Sequence, residues 1–258
     1  MKIATWNVNS LNVRLSYVID WVIQNQPDIL CLQETKQVNE KFQHDAFSDI
    51  GYHSYHNGQK TYNGVAIISK KELNDINFNL PNFEDPQKRI ISGVWGDSNR
   101  KVYIVCAYVP NGQAVVSEKF IYKMNWLNKF SEWVEDLTKQ YDEIVLTGDF
   151  NIAPEDNDCH DPDAWIGQNL VSPQEREAFK NILNIGFHDS YREINSDIQE
   201  YSWWDYRMAG FRRNLGMRID HILVSTVILP NVIDSYIDKE PRKLERPSDH
   251  TPVMTEFK

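Results

Sequence analysis

Acidic, amide and imidazole side chains recur in this 258-residue chain where short apolar runs end. Asn7 and Asn9 follow Ile3-Ala4-Thr5-Trp6, Glu34 follows Ile29-Leu30-Cys31-Leu32-Gln33, and Tyr108 lies near the end of the run at 101–109. Asp149 and Asn151 close Ile144-Val145-Leu146-Thr147-Gly148, Asp220 and His221 lie in Arg218-Ile219-Asp220-His221-Ile222, and Ser248-Asp249-His250 precedes the last apolar run. Carboxylates and amides are hard oxygen donors, and a group of them without a thiolate suits Mg²⁺ or Mn²⁺ better than Zn²⁺. Asn donates to a phosphate without adding negative charge. A His held by an Asp can orient or protonate a phosphoryl oxygen, and a carboxylate can orient or deprotonate water. Gathered on one rim, these are the parts for metal-assisted phosphodiester hydrolysis. Taken singly, each also suits an ordinary turn: Gly148-Asp149-Phe150-Asn151 reads as an Asx-type turn, and Ser248-Asp249-His250 as the approach to a surface strand.

Such residues converge only if their strands share a sheet and end on the same side. Punctuated β-rich runs predict strands at 2–6, 28–32, 52–55, 64–69, 90–95, 101–109, 143–147, 218–224, 232–236 and 251–257. Leu11, Leu15, Val18, Ile19 and Val22 recur at helical spacing and predict a helix that stops before Pro27. A second helix fits 117–139, with Phe120, Met124, Leu127, Phe130 and Val134 on one stripe. Ser172-Pro173-Gln174-Glu175 supplies an N-cap, a proline at the first helical position and a capping-box glutamate for a third, running to about Asn184. Two stretches, 152–171 and 198–217, read as long irregular loops rich in Trp and Asp, a length that usually serves function. Neither a repeat nor a linker divides the chain, so one α/β domain over 1–258 is expected, with sheets packed together and helices outside.

Composition narrows the classes further. The longest apolar runs are too short to span a bilayer, which argues against a membrane protein. The N-terminus lacks the apolar stretch of a secretory signal, and three scattered cysteines make no disulfide framework, so reduced thiols and a cytoplasmic setting are expected. Net charge is −10, from 27 basic and 37 acidic residues, which argues against a sequence-independent nucleic-acid coat. The basic residues tell another story: Lys88, Arg89, Lys119, Lys123, Arg207, Arg212, Arg213, Arg218, Arg242, Lys243 and Arg246 fall in or beside polar, loop-like segments. They read equally as a phosphate-binding face or as ordinary solvated surface.

Several blocks carry a more specific signal through their order. Trp6-Asn7-Val8-Asn9-Ser10, Leu32-Gln33-Glu34-Thr35-Lys36, Gly58-Gln59-Lys60 with Asn63-Gly64-Val65-Ala66, Gly148-Asp149-Phe150-Asn151, Trp203-Trp204-Asp205, Arg218-Ile219-Asp220 and Ser248-Asp249-His250 succeed one another along the chain. In this it resembles the exonuclease III family of DNA-repair nucleases over essentially its whole length. The resemblance implies a four-layered α/β sandwich, two packed mixed β-sheets flanked by helices, in a DNase I-like fold. It also implies Mg²⁺-dependent hydrolysis, with Mn²⁺ as a substitute, at abasic sites and 3′ ends of duplex DNA in base excision repair. The partner would be duplex DNA with abasic sites, nicks or blocked 3′ ends, and the enzyme a monomer.

By motif, Glu34 resembles the principal metal ligand, with Asn7, Asp149, Asn151, Asp249 and His250 as further members of the metal site. Asp149 resembles the residue that orients or activates the attacking water, and Asn151 its phosphate-positioning neighbour. Asp220 resembles the carboxylate that holds His250 against the scissile phosphate, and Tyr108 the tyrosine beside the leaving group. Trp203, Met217 and Ile219 would surround the base-less sugar, although all three equally suit an apolar core. Arg207 falls where relatives insert a side chain into the duplex. The segments 109–113 and 152–171 depart from the better-known bacterial pattern. That keeps open an enzyme that predominantly trims 3′ ends with little incision at abasic sites. Secreted DNase I-like nucleases would bring a signal and disulfides, and inositol-polyphosphate phosphatases carry different residues around the Asp-x-Asn and Asp-His blocks.

Overall fold

The computed structural model describes residues 1–96 and 100–258. Its strands in chain order are β1 (Lys2–Asn7), β2 (Ile29–Gln33), β3 (His53–Asn57), β4 (Val65–Ser69), β5 (Leu73–Asn77), β6 (Ile90–Gly96) and β7 (Lys101–Tyr108). They continue as β8 (Ile144–Asp149), β9 (Phe187–Asp189), β10 (Trp203–Trp204), β11 (Gly216–Met217), β12 (Asp220–Ser225), β13 (Val232–Ile237) and β14 (Val253–Phe257). The helices are α1 (Leu11–Asn25), α2 (His44–Ser48), α3 (Glu118–Thr138), α4 (Pro162–Trp165), α5 (Pro173–Asn184) and α6 (Ser190–Ile194).

Two six-stranded sheets form, ordered β13-β14-β1-β2-β4-β3 and β5-β6-β7-β8-β12-β9. Each contains one parallel pair, β1–β2 or β7–β8, with antiparallel neighbours. A parallel pair needs a crossover, supplied by α1 in the first sheet and α3 in the second. Before Pro27, α1 stops at Gln26, which takes the left-handed conformation (φ 51°). Ser117 caps α3 by accepting from the Phe120 amide at 3.1 Å, and α5 carries the Ser172–Glu175 capping box read from the sequence.

Strand alternation sorts the apolar residues into layers. Ile3, Cys31, Ile104, Cys106, Val145 and Ile222 fill the space between the sheets. Trp6 and Leu32 turn outward onto Leu11 and Val18 of α1, while Ile144 and Leu146 turn outward onto Phe130 of α3 and Phe179 of α5. The result is the expected four-layered sandwich. The same two-residue period carries Asn7, Tyr108, Asp149 and Asp220 onto the inner faces, each in step with a core residue two positions away. Cross-strand register sets Tyr108 beside Asp149, and Asp149 beside Asp220.

The stretches at 152–171 and 198–217 hold more structure than their composition suggests. They contain a 3₁₀ turn at Asp156–Asp158, the short helix α4 and the β10–β11 ribbon, because their charged and aromatic residues turn inward. Asp158, Cys159 and Trp204 are wholly buried. Cys159, placed in a polar loop by its neighbours in sequence, joins Met217 and Ile219 in a small core. All three cysteines are buried and unpaired.

Four of the basic residues that read equally as a phosphate-binding face or as solvated surface are internal. Lys123 lies within α3 against Glu175, Arg218 bonds Asp158 and Asp189, Arg242 lies over the Phe211 ring, and Arg89 packs over Tyr108. Lys119, Arg207, Arg212, Arg213, Lys243 and Arg246 remain exposed. No helix among the described residues is long and apolar enough to cross a membrane.

Candidate active site

Where the inner faces of the two sheets open, Asn7 bridges them. Its Nδ2 donates to Glu34 Oε1 at 2.9 Å and to Asp149 Oδ2 at 2.9 Å. Tyr108 Oη donates to the same Glu34 Oε1 at 2.9 Å, and the backbone amide of Asn151 donates to Asp149 Oδ1 at 2.9 Å. His250 closes the arrangement: Nδ1 lies 2.8 Å from Asp220 Oδ2, and Nε2 lies 3.7 Å from Asp149 Oδ2. Ser202 Oγ donates to Asp220 Oδ2 at 2.6 Å and fixes that carboxylate. Glu34 and Asn151 sit in the left-handed region, at φ 52° and 51°. For a residue such as Glu this costs about 1–2 kcal/mol. The turn holds Glu34 there through its carbonyl, which accepts from Ser10 N at 2.7 Å, and through Thr35 N donating to Gly64 O at 3.1 Å. Strain maintained at a cluster of polar groups is a mark of a functional site.

Electrostatics distinguish the carboxylates. Burial pushes the Asp149 carboxyl up, Asp220 and Glu34 push the same way, and His250 and Asn7 oppose them, leaving it at about 7. Burial also raises Glu34, but Lys36, whose Nζ lies 2.9 Å from Oε2, and the Asn7 hydrogen bond bring it below its ordinary value. Burial works against a charged His250, yet Asp220 and Asp149 outweigh it and lift the imidazole to about 10. His250 is therefore an imidazolium near neutrality, donating through Nδ1 to Asp220 and presenting Nε2–H toward the cleft. Its folded value lies above the unfolded one. The pair thus stabilises the fold in full below the ordinary histidine range, and that contribution is lost as pH rises through about 10. In the metal-free protein, Asp220→Asn is expected to move the His250 midpoint down by about two units or more, read from its ring-proton shifts by NMR titration. An unchanged midpoint would show that Asp220 does not charge His250.

The donor set fits a small divalent cation. Glu34 and Asp149 offer hard carboxylate oxygens, both held by Asn7 Nδ2, and Asp220 lies close to Asp149. The crowding of acids that lifts Asp149 is what a bound cation relieves.

Above this floor lies a cleft of about 730 Å³, lined by Glu34, Tyr108, Asp149, Asn151, Asp249 and His250 among others. Of the residues assigned to the sugar pocket, Trp203 and Ile219 are on its wall, whereas Met217 is wholly buried in the core with Cys159 and Leu170. Arg207 is at the rim, exposed and paired with Asp205 at 2.5 Å, a surface pair that exchanges at little cost. Asp249 has both oxygens engaged, accepting from Asn9 Nδ2 at 2.9 Å and from Trp203 Nε1 at 3.0 Å, so it anchors the tryptophan. The sequence reading missed Lys36, Asn111 and the Lys123–Glu175 pair. Lys123 had a signal: it shares the buried face of α3 with Phe120 and Leu127 at helical spacing.

Comparison with known proteins identifies the family. The pattern of the Endonuclease/Exonuclease/phosphatase family matches residues 4–250. The chain belongs to that family. It is 34% identical to exodeoxyribonuclease III of Haemophilus influenzae over the full length of both chains. Among solved structures, a 3′ phosphatase from Neisseria bound to a product DNA hairpin is 46% identical, with a TM-score of 0.97 over 100% of this chain and 99% of the other. An AP endonuclease from Archaeoglobus fulgidus is 40% identical, with a TM-score of 0.93 over the same shares. Within the family the chain is an enzyme of the exonuclease III type, as the ordered motifs implied.

Proposed function

We propose that this cleft hydrolyses phosphate esters at the 3′ ends and abasic sites of duplex DNA, with Mg²⁺ as its natural cation, and serves base excision repair. The observation that carries this reading is the shared floor: Asn7 joins Glu34 to Asp149, and Asp220 holds His250 against Asp149. Glu34 and Asp149, aligned by Asn7 Nδ2, would hold the cation, which when bound neutralises charge developing on the phosphate and the leaving oxygen. Asp149 accepts the proton of the attacking water at a carboxylate oxygen. His250 Nε2–H donates to a phosphoryl oxygen, and Asp220 keeps the ring oriented and charged throughout. Tyr108 Oη, bonded to the same Glu34 oxygen as Asn7, would lie beside the leaving oxygen, which departs as a hydroxyl after taking a proton from water. The P–O bond to that oxygen breaks as the P–O bond to water forms.

Trp203 would select the sugar. Trp203→Ala is expected to lower the preference for an abasic over an intact internal nucleotide by about tenfold in kcat/KM while shifting Tm little. A large fall in Tm with an unchanged preference would make Trp203 a core residue only. A second reading, in which 3′ ends are processed and abasic sites are cut little, is favoured by Leu170, which occupies the wall beside Ile219. Two labelled duplexes separate the readings, one with an internal abasic analogue and one with a nick bearing a 3′-phosphate, each incubated with Mg²⁺. Processing of both supports the full activity, and processing of the second alone supports the narrower one. No processing of either would reject the proposal.

A further inference from the structure

Lys123 has no exposed side-chain surface, and its ammonium uses all three protons on acceptors. It donates to Asn151 O at 2.7 Å, to Asn111 O at 3.2 Å and to Glu175 Oε1. Glu175, equally buried, accepts from Leu170 N at 3.1 Å with Oε1, and from Ser172 N at 3.1 Å and Ser172 Oγ at 2.5 Å with Oε2. One ion pair thus ties together the three segments at 109–113, 149–151 and 165–172. Side chains reinforce the tie: Asn111 Nδ2 donates to Asn151 Oδ1 at 2.8 Å, and Asn169 Nδ2 donates to Asn111 O at 2.8 Å. Asn111, Asn151, Asn169 and Leu170 all line the cleft.

A buried ion pair is a poor device for stability alone, since well-packed apolar residues of the same volume commonly do as well. Apolar residues, however, cannot satisfy inward-pointing carbonyls or hold the left-handed turns at Asn151 (φ 51°) and Leu170 (φ 75°). The Asn151 turn bears directly on the chemistry because its amide donates to Asp149 Oδ1 at 2.9 Å. We propose that Lys123 and Glu175 are positioning residues for the hydrolysis: together they hold Asp149 and the Leu170 wall in register with Glu34 and His250 across the cleft. This rests on the activity proposed above. Loss of the tie shifts the turn that carries Asp149, and a misplacement of about 1 Å is enough to cost about 10²-fold in rate.

The test uses the full chain with Mg²⁺ and the 3′-phosphate nick duplex, comparing Lys123→Met, Glu175→Gln and the double variant by kcat, KM and urea unfolding. Each single variant is expected to lose stability because it leaves a buried charge unpaired. The double variant removes both charges and is expected to be more stable than either single variant, yet its kcat should remain about 10²-fold below the parent at a similar KM. Recovery of kcat together with stability would make the pair merely structural and overturn the inference. Should the double variant not fold, Ser172→Ala loosens Glu175 more gently. It should lower kcat about threefold at constant KM, and an unchanged kcat would overturn the inference. Inactivity of the parent protein on every duplex would instead reject the proposed function.

Discussion

Asp149→Asn is expected to lower kcat on the 3′-phosphate duplex by about 10³-fold while changing the Kd for the same duplex less than about threefold. Asp149 is the carboxylate that receives on one oxygen the Asn7 amide of the facing sheet and on the other the amide of its own turn. The substitution keeps the shape and removes the proton acceptor. The exposed basic residues, Arg207 and Lys119 among them, on which a duplex would rest are untouched. Fluorescence anisotropy gives Kd, and rapid-quench turnover gives kcat. Equal losses in both would mean that Asp149 binds DNA rather than acting on water.

Arg218→Met is expected to cost about 3–5 kcal/mol of folding stability, or about 10 °C in Tm. The guanidinium donates from Nε to Asp158 at 2.7 Å and from Nη1 to Asp189 at 2.7 Å, with all three side chains buried. Methionine fills the volume but leaves Asp189 without its guanidinium and Asp158 with Arg192 alone as its cation. Arg218 holds Asp189 well below the usual carboxylate range, although burial alone would raise it. A folded value below the unfolded one means that this contribution is present above the ordinary Asp range and is lost as pH falls. The difference between parent and Arg218→Met in urea unfolding should therefore shrink on acidification. A loss below about 1 kcal/mol at neutral pH would show that the cluster is already paired without Arg218.

The clustering of the candidate site residues was legible in the sequence for a geometric reason. A period of two fixes which face each strand residue takes, so Asn7, Tyr108, Asp149 and Asp220 at strand ends inherit the inner face from Thr5, Cys106, Thr147 and Ile222. Glu34 and His250 were picked out by the same strand-end positions, and order along the chain then gave the family. Charge was read less well. Arg89, Arg218 and Arg242 carry the same letters as surface residues and only their packing reveals that they are internal, whereas the helical spacing of Lys123 with Phe120 and Leu127 was a signal left unread. Glu175 was recognised as a capping-box residue, which it is, but its second bond to Lys123 joins segments 52 positions apart. The strand β5 escaped notice because Leu73-Asn74-Asp75-Ile76-Asn77 is a polar edge strand with little alternation to read. Met217 shows the opposite limit. Motif order placed it near the sugar pocket, but its side chain turns into the core.

The central claim is that Glu34, Asp149, Asn7 and His250 form one cation-dependent hydrolytic centre. The most direct measurement is release of inorganic phosphate from the 3′-phosphate nick duplex by the parent protein in Mg²⁺, after EDTA, and after Mg²⁺ is restored. The account predicts release that stops on chelation, returns with Mg²⁺, and is absent at every stage in Glu34→Gln. Release that continues in EDTA, or at the parent rate in Glu34→Gln, would contradict it.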